Sequence, residues 1–155
     1  MPTDIEHHYN ELKKKLSLPD FSIVDREFEI SSIEKPVFLL RNIRRKIGER
    51  LEAISQFLDP LLQPDPNSFC SLFEYRCFTE SERKELLKQF QSLMSLYRAS
   101  ITADLSADDT QDAAFITKAA NEFPAARQAL KPLIQKLADC WPKKMEQKDV
   151  VGYFG

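Results

Sequence analysis

The chain has 155 residues, 43% hydrophobic and 30% charged, with 22 basic against 24 acidic side chains and a net charge of −2. A chain of this size can bury roughly 70% of its unfolded surface and so build a core without metals or disulfides, and its balanced charge offers no global field for nucleic acid. No apolar run approaches the ~18 residues of a membrane span, the polar start is unlike a signal peptide, and Cys70, Cys77 and Cys140 suit neither a disulfide framework nor a zinc site.

Glycine is scarce: Gly48, Gly152 and Gly155 are the only three. Hairpin turns, phosphate-cradling loops and dinucleotide fingerprints need glycine for positive φ or close backbone approach. Their absence predicts helices joined by Pro/Asp/Ser turns and no nucleotide-enzyme signature.

The first predicted helix opens at Thr3-x-x-Glu6, a capping-box pattern, and carries Ile5, Tyr9, Leu12 and Leu16 at helical spacing before Leu18-Pro19-Asp20 stops it. Residues 21–30 alternate as Phe21/Ile23 and Phe28/Ile30, which predicts an extended segment laid along a bundle. The second helix has a capping-box candidate at Ser31-x-x-Glu34, with Pro36 in its first turn. Its stripe runs Leu40, Ile43, Ile47, Leu51, Ile54, Leu58 and Leu61, and Pro60, Pro64 and Pro66 end it. Phe69 to Phe78 holds four aromatics and reads as a plug for one end of the bundle, formed as a short helix.

The third long helix opens at Thr79-x-x-Glu82, with a stripe of Leu86, Phe90, Leu93, Tyr97 and Ile101, and breaks at Asp104-Leu105-Ser106. The fourth starts with an acidic turn at Ser106–Asp109 and turns Ile116, Ala120, Phe123, Leu130, Leu133, Leu137 and Trp141 inward. An interior proline costs about 3 kcal/mol in a helix, so a break is expected near Pro124 and a kink near Pro132. The expected architecture is all-α: an up-and-down bundle of about four main helices over 1–142, then a flexible linker and tail over 143–155.

The tail contains Gln147-Lys-Asp-Val150-Val-Gly-Tyr153-Phe154. A glutamine, an aliphatic three residues on, and two aromatics after two more positions resembles the PCNA-interacting peptide, the PIP box of archaeal and eukaryotic replication and repair proteins. Val150, Tyr153 and Phe154 stand at i, i+3 and i+4, so one helical turn puts all three on one face for a hydrophobic groove. The resemblance implies that Gln147 fills a small polar pocket beside that groove. Lys143, Lys144 and Lys148 would suit an acidic rim. A chance match in a chain of this length is on the order of one per cent. The resemblance covers eight residues and leaves the bundle unassigned. The implied function is a non-enzymatic replication or repair accessory factor bound to a PCNA-type sliding clamp, in archaeal cytoplasm or a eukaryotic nucleus. The alternative is a helical scaffold whose tail docks on its own core or in an oligomer seam.

Arg41, Arg44, Arg45, Lys46 and Arg50 form a second constellation, read as a solvent-facing stripe for DNA or another replication protein. The chain's own acids at Asp104, Asp108, Asp109 and Asp112 would serve equally as partners. Aromatics are not interleaved with these arginines, so the pattern does not suggest a stacking platform for single strands. The adjacent His7 and His8 cannot share a helix face as a metal pair, and no nucleophile motif or cofactor signature is present. No catalytic residue, metal or cofactor is expected.

Overall fold

The computed structural model describes residues 3–143, and over them the protein is all-α. Six α-helices follow in order: α1 (Asp4–Leu16), α2 (Phe21–Phe28), α3 (Leu39–Leu62), α4 (Phe69–Arg76), α5 (Glu80–Ser106) and α6 (Asp109–Cys140). A single 3₁₀ turn, Ile30–Ser32, lies between α2 and α3, and no strand occurs among the described residues. The described residues group into two compact units, 3–53 with 93–125 and 54–92 with 126–143. The unit boundaries therefore fall inside α3, α5 and α6.

In the first unit, α1 is capped as expected, the Glu6 N–H donating to Thr3 Oγ1 at 3.2 Å. Ser17 ends it in the left-handed region at φ 54°. Tyr9 is fully buried and donates to the Pro19 carbonyl at 2.7 Å, while Lys13 pairs with Asp20. Residues 21–28 are helical, not extended. The apolar residues there fit both periods, and burial favours the helical one: Val24 and Phe28, four apart, are 0% and 2% exposed, whereas Ile23 is 37% exposed. The expected helix start at Ser31 does not form either. The Ser31 N–H donates to Asp25 Oδ1 at 2.7 Å, the 3₁₀ turn is closed by the Ser32 and Ile33 N–H groups donating to the Glu29 and Ile30 carbonyls at 3.1 Å each, and α3 begins only at Leu39. Phe38 precedes it at φ 50°.

Four pairings orient the long helices of this unit. Arg44 faces Asp104 and Gly48 faces Ser100, so α3 and α5 are antiparallel. Arg44 faces Asp112 and Arg50 faces Phe123, so α3 and α6 are parallel. Gly48 has a reason to be glycine: a Cβ there would stand 3.3 Å from Ser100 Oγ, tighter than side chains normally pack. The Phe28 and Phe123 rings meet at 5.1 Å in the core of the unit.

In the second unit, α4 is the short aromatic helix anticipated at 69–78, capped by Ser68, whose Oγ accepts the Ser71 N–H at 3.2 Å. The capping box at the start of α5 is complete. Glu82 N–H donates to Thr79 Oγ1 at 3.2 Å and Thr79 N–H donates to Glu82 Oε1 at 2.9 Å. Leu86 and Leu93 of the predicted α5 stripe are fully buried, as is Leu96 outside it, whereas Ile101 is 37% exposed. The buried row also passes through Gln89 and Ser100, polar residues that a search for apolar spacing skips.

The predicted break at Pro124 does not occur, because α6 is continuous through Pro124 and Pro132. Each proline removes one hydrogen bond. Buried Phe123, Ala126, Leu130, Leu133 and Leu137 lie on either side of them and hold the helix together. No helix of the described residues is long and apolar enough to cross a membrane.

Candidate interaction surface

The basic segment of α3 does not form one solvent stripe. Arg44 is the correction: it is 5% exposed, donating from Nε to Asp112 Oδ1 and from Nη2 to Asp104 Oδ1, each at 2.6 Å. The reason lies in helical spacing. Arg44 is four residues beyond Leu40 and three before Ile47, so it belongs to the buried row rather than beside it. Two of the acids read as alternative partners, Asp104 and Asp112, are thus its partners. Burial raises the Asp112 carboxyl above its ordinary range, and the Arg44 guanidinium opposes that shift.

The other four basic residues keep solvent access. Arg41 lies over the Phe38 ring, its guanidinium carbon 4.9 Å from the centroid. Arg50 lies over Phe123 at 5.5 Å. Arg45 is exposed and Lys46 half-buried, and neither pairs with an acid among the described residues. Sequence reasoning missed Phe38, which is 67% exposed beside Val37 at 60%. A helix opening at Ser31 would have placed it mid-helix, and nothing in the residue order marks it as presented to solvent.

The end of α6 carries a second cluster. The Trp141 ring packs on Phe73, centroids 4.4 Å apart with the planes tilted by 38°, and its Nε1 donates to Glu74 Oε2 at 3.2 Å. Cys77 donates to the Phe73 carbonyl at 3.5 Å; burial and the neighbouring Cys140 thiol push its pKa up to about 12. Trp141 therefore fixes the last turn of α6 against α4. The clamp-motif residues Gln147, Val150, Tyr153 and Phe154 lie outside the described residues.

An open cleft of about 280 Å³ between α5 and α6 is lined by Ala99, Ala103, Ala114 and Phe115, with Gln111 and Lys118 its most polar side chains. No group of three or more His, Cys, Asp or Glu side chains among the described residues could hold a metal ion. Comparison with known proteins finds no match: no family model, no curated protein and no solved structure resembles the chain.

Proposed function

We propose that the protein is a non-enzymatic accessory factor of DNA replication or repair that docks on a PCNA-type sliding clamp through Gln147, Val150, Tyr153 and Phe154. The observation that carries this reading is the spacing of those four residues, which supplies a polar anchor and a three-pronged apolar face in one helical turn. The anchoring of Trp141 supports it. Only five residues separate Trp141 from Gln147 in the sequence. Six residues extend to at most about 20 Å, enough to reach a groove while holding the helices close to the clamp.

Such an arrangement works through effective concentration. A weak tail keeps the helical part near DNA without strong contacts of its own. Ordering the tail costs free energy, and Gly152 adds to that cost, so the affinity of the tail alone is on the order of micromolar. Calorimetric titration of the full chain, and of a peptide spanning 143–155, into a PCNA-type clamp tests the reading. Binding that disappears in Tyr153→Ala/Phe154→Ala supports it. A full chain that does not bind the clamp reduces the motif to coincidence.

A further inference from the structure

Phe38 is an apolar ring held in solvent at a cost. Its backbone sits at φ 50°, a region that disfavours every residue but glycine by about 1–2 kcal/mol. The strain is held from both sides: Asn42 Nδ2 donates to the Val37 carbonyl at 2.9 Å, and the Asn42 N–H donates to the Phe38 carbonyl at 3.0 Å. Little apolar surface is buried in return, because the ring stays 67% exposed with Arg41 over one face. Strain that presents a side chain instead of burying it is characteristic of a contact site.

The surroundings name the chemistry of the partner. Arg41 lies over the ring, and Arg45 follows one turn later on the same face of α3. Lys46 flanks them, and Glu49 bounds the patch one turn beyond Arg45. Asp104 and Asp112 are paired directly with the buried Arg44, and Arg41 adds only a weaker electrostatic attraction to Asp112. An exposed ring beside cations that form no ion pair among the described residues matches an unstacked base and its neighbouring phosphates. A duplex keeps its bases stacked inside and offers the ring nothing. A lipid surface is the poorer fit, since two exposed apolar residues bury little area in a membrane.

We propose that Phe38, Arg41, Arg45 and Lys46 form a binding surface for single-stranded nucleic acid, with Phe38 stacking on a base and the cations taking phosphates. This inference does not rest on clamp binding, and its test contains no clamp.

The experiment is fluorescence polarisation of a labelled oligothymidylate of about 20 nucleotides with the full chain. The expected result is binding that falls about tenfold between roughly 50 and 200 mM salt, as for two to three neutralised phosphates. Phe38→Ala weakens it about tenfold and Phe38→Trp restores it, with circular dichroism checking that both variants fold. Arg45→Ala/Lys46→Ala weakens it and flattens the salt dependence, while Lys88→Ala, at an exposed position of α5, leaves it unchanged. No binding at the lower salt overturns the proposal. So does equal affinity for duplex with Phe38→Ala harmless, which would leave phosphate attraction alone. Binding to vesicles of anionic phospholipid but not to the oligonucleotide would overturn it in favour of a membrane surface.

Discussion

Arg44 Nε donates to Asp112 Oδ1 at 2.6 Å, and the two side chains are only 6% and 4% exposed. A buried ion pair is poor evidence of net stabilisation, because desolvating two charges offsets most of their attraction. Breaking it is another matter. Arg44→Met strands a carboxylate that burial already pushes toward its protonated form, and costs about 3–5 kcal/mol in chemical denaturation. With its counter-charge gone, the folded-state pKa of Asp112 rises further above the unfolded value. Such a group stabilises the fold below the unfolded pKa and loses that contribution as pH rises through the folded one. The deficit of Arg44→Met therefore grows with pH. Arg44→Met/Asp112→Leu recovers much of the loss, because no charge is left buried.

Glu82 works in the opposite direction. Its carboxylate accepts from Lys136 Nζ at 2.5 Å and from the Thr79 N–H at 2.9 Å, and these bonds hold its pKa down to about 2 from an ordinary 4.5. The stabilisation is present above the ordinary value and is lost as pH falls toward 2. Glu82→Gln can still accept from Thr79 but loses the charge facing Lys136. The stability gap between the native chain and this variant is expected to be widest above 4.5 and to close as pH approaches 2. Urea denaturation across that range measures it. A gap independent of pH would mean that the Lys136 pair contributes nothing.

Scarcity of glycine leaves the protein with ordinary residues where helices end. Ala107 closes α5 at φ 50°, its N–H shared between the Ala103 and Asp104 carbonyls at 3.3 Å each. Ala107→Gly removes a strain of about 1–2 kcal/mol but loosens the unfolded chain, for a net gain of about 0.5 kcal/mol. The same change at Ala125, an exposed interior position of α6, has no strain to relieve and costs about 1 kcal/mol. Opposite signs for one substitution at two exposed alanines, read as shifts of the thermal midpoint, measure the strain held in the left-handed turn.

What the residues disclosed, and what they hid, divides along local and distant causes. The capping boxes at Thr3 and Thr79 were legible because cap and partner are three residues apart. The interior stripe of α3 was legible because Leu40, Ile43, Ile47 and Leu51 leave only one face to bury. Arg44 was not, since its partners lie 60 and 68 residues away and only the fold brings them together. In α2, two periodicities fitted the same ten residues, and the packing of Val24 and Phe28 selected between them. Phe38 was hidden by the false start at Ser31. Locating that start needed the Asp25 carboxylate, which takes the Ser31 N–H and diverts the chain into a 3₁₀ turn.

Proline propensity also gave way to packing, and that can be measured. Pro132 is exposed within a continuous α6, immediately before buried Leu133. A proline in a helix interior forfeits the hydrogen bond to the residue four earlier and crowds its carbonyl, at a cost of about 3 kcal/mol relative to alanine. Part of that cost is returned, because proline also stiffens the unfolded chain by up to about 1 kcal/mol. Pro132→Ala should therefore stabilise the protein by about 1–2 kcal/mol, since the exposed ring takes no core contact with it. The midpoint of thermal unfolding should rise by roughly 2–8 °C at this chain length. If Pro132→Ala were neutral or destabilising, proline there would be setting the direction of α6 toward Trp141. In that case the Trp141–Phe73 contact should loosen in the same variant, seen as a red shift in tryptophan fluorescence.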